Sequence, residues 1–261
     1  MKKKRKGLKK KDKLGLLIIA LSVIVTVAVS LGVYFLSDHV QYDEKFCPIK
    51  DLKKHTVLLI DKSDKWEDDD INRIKQLIQS TKKSIKFREK FTLNVIHGEG
   101  RGRKTEIESK FEMCSPGSKT ECNQFYENCR QIQVKYDKNF TQQFKNTTRE
   151  LEKPTEASSS PILESLVAII DESVAEELKI VVISDLMENG RKFRFYDGIP
   201  LAEEMANEFP IESPAKISIK FSVIERRRHS RQLKSAVENV WREYFKTYGI
   251  TSNFKRLFIA E

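Results

Sequence analysis

The sequence contains no CxxC pair, and its four cysteines, Cys47, Cys114, Cys122 and Cys129, have no histidine spaced beside them as a zinc site requires. It has no Gly-x-Ser-x-Gly segment, so the nucleophile elbow of a serine hydrolase is excluded. Its most glycine-dense turn, His97-Gly98-Glu99-Gly100-Arg101-Gly102, fits neither the P-loop nor the dinucleotide fingerprint and reads as a loop. No internal repeat is present. Past the first 13 residues the chain also lacks a large charge of one sign. Those residues hold +8 of the formal +10, leaving about +2 for all the rest, which gives no global electrostatic basis for binding nucleic acid.

Charge is missing altogether from Leu14 to Leu36. As a helix this run is about 35 Å long, enough for a bilayer core of roughly 30 Å. Residues 1–13 carry nine Lys or Arg against Asp12 alone, so the tail is expected in the cytoplasm, against anionic headgroups, and everything after residue 36 outside. A cleaved signal peptide has a shorter apolar core and a small-x-small end, whereas this run ends in Val33-Tyr34-Phe35-Leu36. The expectation is a single-pass anchor over 14–36, a stalk over 37–54 and an extracytoplasmic, periplasmic domain over 55–261.

Four cysteines in an exported segment point to two disulfides. Three pairings are open. Local spacing favours Cys114–Cys122 as a clip, with Cys47 joined to Cys129, inside a disulfide-tied insertion near 103–135.

Thr56-Val57-Leu58-Leu59-Ile60, Phe91 to Ile96, Lys179 to Ser184 and Lys216 to Ile224 read as strands. Ile71, Ile74, Leu77, Ile78 and Ile85 recur at helical spacing behind Glu67 to Asp70, acids suited to a first helical turn. Further helices are expected over Asn139 to Leu151, from Ile162 to Ile170, and from Leu233 to Tyr248 with a stop at Gly249. Strands alternating with helices predict a doubly wound, mostly parallel α/β sheet.

Ligands of such sheets sit at the carboxyl ends of the strands. Two strands end in aspartate, Asp61 and Asp185, and Ser160 stands at a helix start between them. With Ser63 these make an oxygen-only set suited to Mg²⁺ or Mn²⁺. Asp61-Lys62-Ser63-Asp64-Lys65, Ser160-Pro161-Ile162-Leu163-Glu164 and Val181-Val182-Ile183-Ser184-Asp185 resemble the three segments of the metal-ion-dependent adhesion site of von Willebrand factor A (vWA) domains. The resemblance covers roughly residues 55 to 250. It implies a Rossmann-like vWA fold, a metal held by Asp61, Ser63, Ser160 and Asp185, and a protein partner in adhesion or envelope assembly. Lys65 departs from the motif, replacing its second serine with a cation.

The rival readings are a metal-dependent phosphatase using Asp61 and a metal-free structural subunit of a membrane complex. The first lacks its general acid, since Ser63 occupies the place of the second aspartate. His39, His55, His97 and His229 read as surface or turn residues. Arg226, Arg227, Arg228 and Arg231 form a local basic patch that reads as a solvated turn.

Overall fold

The computed structural model describes residues 10–36, 41–62, 66, 68–97, 106–122, 128–151, 159–226 and 228–257. The chain divides into two units, residues 1–41 and 42–261.

The first unit holds helix α1, Lys10–Leu36. Among the described residues no helix is long and apolar enough to cross a membrane. The helix takes in the whole of the uncharged 14–36 segment. The segment expected to cross is therefore helical, but a crossing is not shown.

The second unit is built on one six-stranded sheet in the order β3-β2-β1-β4-β5-β6. Its strands are β1 (Lys54–Asp61), β2 (Lys90–His97), β3 (Glu106–Cys114), β4 (Glu177–Ser184), β5 (Lys216–Ile224) and β6 (Thr251–Leu257). All neighbours run parallel except β2 and β3, whose antiparallel ladder carries an irregularity at Leu93/Asn94. The sheet is thus mixed rather than purely parallel, and it fits an α/β vWA-like fold. The central β1 is buried from His55 to Asp61, as its unbroken apolar run requires.

Helices α5 (Ile162–Asp171), α6 (Ala202–Glu208) and α7 (Arg231–Thr247) close one face. There Leu166, Ile170, Trp241 and Phe245 pack with Ile180, Val182 and Phe221. On the other face α2 (Asp68–Ser84) and α4 (Gln142–Glu150) bring Ile74, Ile78 and Phe144 against Leu58, Ile60 and Leu93. A short helix α3 (Cys129–Lys135) leads through a π-helical stretch, Tyr136–Thr141, into α4.

The ends of α7 follow from its sequence. Ser230 Oγ accepts the Leu233 N–H at 3.2 Å. Gly249, at φ +65°, lets the Gly249 and Ile250 amides return to the Lys246 and Phe245 carbonyls in a Schellman motif. The chain is then aimed directly into β6, an edge strand that the sequence reading did not separate from the loop after α7. Helix α6 was also unforeseen: it has only seven residues, too few to establish a period.

Residues expected as a stalk are in fact bonded to the domain. Asp43 Oδ1 accepts the Lys45 and Cys47 amides at 2.8 Å, and the Cys114 N–H donates to the Lys45 carbonyl at 2.9 Å. The Glu176 and Glu177 amides donate to the Leu52 and Lys53 carbonyls at 3.1 and 2.9 Å.

The disulfides are Cys47–Cys114 and Cys122–Cys129, which corrects the favoured pairing. Cys114 ends β3, a sheet strand where an insertion was expected, so it lies beside the 42–53 segment rather than in a loop with Cys122.

Candidate functional site

Asp61 ends β1, and Ser184 ends β4, the strand paired beside it. The ladder register aligns Ile60 with Ile183, so the next two residues face each other across it. Ser184 Oγ donates to Asp61 Oδ2 at 2.8 Å, and Ser160 Oγ donates to the same oxygen at 2.7 Å. All three residues are buried, Asp61 only 4% exposed. Ser160 is fixed by paired backbone bonds to Asn189, at 3.1 and 2.9 Å. Ser184 Oγ in turn accepts the Leu186 N–H at 2.9 Å.

Of the four residues expected to form the site, Asp61 and Ser160 come together. Ser63 and Lys65 lie outside the described residues. The Asp185 carboxylate turns to its own loop, where Oδ1 accepts the Met187 N–H at 3.0 Å. Asp185 also lines a small cleft with Arg226, His229 and Glu238, at the carboxyl ends of β4 and β5. Ser184 was missed. Its position at the strand end next to Asp185 was legible, but its partnership with Asp61 needs the β1–β4 pairing.

A second buried carboxylate was also missed. Glu188 is 2% exposed, and its Oε2 accepts the Leu163 N–H, at the start of α5, at 2.7 Å. Pro161 supplies no side-chain cap there, so Glu188 takes that role from 25 residues away. Burial pushes the Glu188 carboxyl well above the usual range, the Leu163 bond opposes this, and the charges of Glu164 and Asp61 add to it. Glu188 therefore holds its proton more firmly than an exposed carboxyl does.

Lys62, next to Asp61, is buried with its ammonium 5.5 Å from the centre of the Trp66 ring. Burial lowers its pKa, and Lys110 lowers it further.

The donor chemistry at Asp61 suits a hard divalent cation. One carboxylate and two hydroxyls are all oxygen ligands, and a hydroxyl that donates to Asp61 keeps lone pairs for a metal. Among the described residues no group of three or more His, Cys, Asp or Glu is gathered as a metal cluster. The set is hydroxyl-rich, with a single carboxylate at its centre.

The other candidates resolve differently. His55 is 8% exposed, not on the surface, and its Nε2 lies 2.8 Å from Thr92 Oγ1. His229 stands 5.9 Å from the Tyr196 ring and accepts from Arg228 Nε at 3.3 Å. The side chain of His97, together with His39 and Arg227, lies outside the described residues.

No protein-family model matches the sequence, nor does any curated protein. Among solved structures, BatB from Bacteroides thetaiotaomicron, described as a conserved hypothetical protein, is similar at 10% identity and a TM-score of 0.38. That match covers 78% of this chain and 90% of BatB. Proximal thread matrix protein 1 from the mussel byssus is similar at 10% identity and a TM-score of 0.33, over 78% of this chain and 44% of that one. Similarities of this size assign no family; the vWA-like description rests on the strand order and the mixed sheet.

Proposed function

We propose that this chain is a protein-binding module: a vWA-like domain carried outside the cytoplasmic membrane by an N-terminal anchor over residues 14–36. In this reading it serves protein–protein interaction in an envelope complex and is not an enzyme. The basic tail lies on the cytoplasmic leaflet. Asp61, Ser63, Ser160 and Asp185 hold Mg²⁺ or Mn²⁺, to which a partner donates a carboxylate. The observation that carries the reading is the convergence of the Ser160 and Ser184 hydroxyls on Asp61 Oδ2, at the carboxyl ends of adjacent parallel strands. Ser184 joins the proposed set as a hydroxyl neighbour of the metal. A bound cation would supply a positive charge for an acidic side chain of the partner.

The metal-free subunit is favoured by the same bonds, because two hydroxyl donors already satisfy Asp61 Oδ2. One experiment separates the readings. The melting temperature of the full chain in detergent is measured in EDTA and then with millimolar Mg²⁺ or Mn²⁺. A ligand bound only by the folded state stabilises it by about 2.7 kcal/mol at a hundredfold excess over Kd. The cation reading expects a rise that disappears in Asp61→Ala. An unchanged melting temperature in wild type supports the metal-free subunit.

A further inference from the structure

A parallel sheet needs cover on both faces. Helices α5, α6 and α7 close one. On the other, α2 and α4 cover β1 to β3, and burial reaches β4 and β5 only near their carboxyl ends, at Val181, Ile183 and Ile224. Nearer the amino ends, the same face of β4, β5 and β6 is open. Lys179, Lys216, Ser218, Thr251, Asn253 and Lys255 on it are exposed, and Lys220 is half-buried.

The register arranges these lysines. Lys179 lies beside Ser218, Lys220 beside Asn253, and Ser222 beside Lys255. Lys179, Lys220 and Lys255 therefore form a diagonal row, one per strand, each step two residues up and one strand across. Strand spacing and rise make each step roughly 8 Å. Two described carboxylates border this face at its amino end, and both are engaged: Glu177 lies 3.0 Å from the Lys54 ammonium, and Glu89 Oε1 accepts the Thr56 hydroxyl at 2.6 Å. Among the described residues Lys179, Lys220 and Lys255 have no ion-pair partner. Ser222, in the same row of β5, is 1% exposed, and its hydroxyl has no hydrogen-bond partner among the described residues.

We propose that this face is a docking surface for an acidic amphipathic α-helix of a partner protein. The open width from β4 to β6 is about 10 Å, the diameter of one helix. The lysine row spans roughly 16 Å, the distance covered on one helix face by acids at i, i+4, i+7 and i+11. The lysine stems flank Val181 and supply apolar contact below their charges. The surface lies away from Asp61 and needs no cation, so it stands or falls separately from the proposed metal site.

The test uses the full chain in nonionic detergent and a fluorescein-labelled 20-residue Ala/Leu helix bearing Glu at positions 4, 8, 11 and 15. Fluorescence anisotropy at low salt is expected to show binding that survives Asp61→Ala. The triple variant Lys179→Gln/Lys220→Gln/Lys255→Gln, with an unchanged melting temperature as its control, is expected to bind roughly tenfold or more weakly. High salt should have the same effect. Equal binding by the triple variant, or no binding at low salt, overturns the proposal. So does binding of soluble dioctanoyl phosphatidylserine, lost in the triple variant, when the peptide itself is ignored; that result makes the face a lipid surface.

Discussion

Glu188 Oε2 accepts the backbone N–H of Leu163 at 2.7 Å, so a buried acid from the loop after β4 caps the helix that begins beside Ser160. Glu188→Gln keeps an acceptor of the same shape and is expected to change stability by less than about 1 kcal/mol near neutral pH. Glu188→Ala leaves the amide without its acceptor and opens a cavity, for a loss of about 2–4 kcal/mol. The acid's folded pKa lies well above its ordinary 4.5, so the native state holds a proton that the unfolded chain releases. Stability from this group is complete below pH 4.5 and declines as pH rises through the folded pKa. Urea unfolding across that range should show the decline in wild type and not in Glu188→Gln.

Gly190 encloses the same carboxyl. A β-carbon at position 190 would lie 2.4 Å from Glu188 Oε1, in a carboxyl whose other oxygen, Oε2, is held by the Leu163 N–H. Gly190→Ala is expected to cost about 1–3 kcal/mol through this overpacking. Combining it with Glu188→Ala, which removes the clash, should cost less than the two losses added together, in a double-mutant cycle of melting temperatures.

His55 predicts acid sensitivity at the opposite end of β1. Burial, reinforced by Lys90, lowers its pKa from 6.5 to about 4, so the folded state holds the neutral ring. Its contribution is present above pH 6.5 and is lost as pH falls toward 4, a change of roughly 3 kcal/mol. Nearby, burial works against ionising Glu112, but its bonds to Lys45 and Lys90 outweigh this and hold the carboxyl at about 2. That contribution fades only below pH 4.5. His55→Gln should therefore flatten the stability profile between pH 6.5 and 4 and leave the more acidic limb intact.

The two disulfides are expected to differ in weight. Cys47–Cys114 closes 67 residues and Cys122–Cys129 closes seven. Chain-entropy arguments assign about 4 kcal/mol to the first and about 2 kcal/mol to the second. Cys47→Ser/Cys114→Ser should lower the melting temperature more than Cys122→Ser/Cys129→Ser. It should also release the 42–53 segment to protease.

Local chemistry made much of this architecture legible. Lys216 to Ile224 was bounded from its residues alone, and β1, β4 and α5 were found because apolar runs and helical periods are local signals. Strand β3 hid among polar residues and cysteines. As an edge strand it buries only part of its length, so its pattern is weak. β6 hid for the same reason, its residues alternating between exposed and half-buried.

The sequence by itself determined the four buried strands and the longer amphipathic helices, that the charge gathers in the first 13 residues, and that Asp61 and Ser160 are candidates for one rim. Only the tertiary structure decided which atoms meet there. Ser184 reaches Asp61 across 123 residues, Glu188 reaches Leu163 across 25, and Cys47 takes Cys114 rather than Cys129. Each contact depends on which strand lies beside which, and that is set by burying both faces of β1 at the centre of the sheet, a cooperative packing outcome that no short stretch of residues encodes.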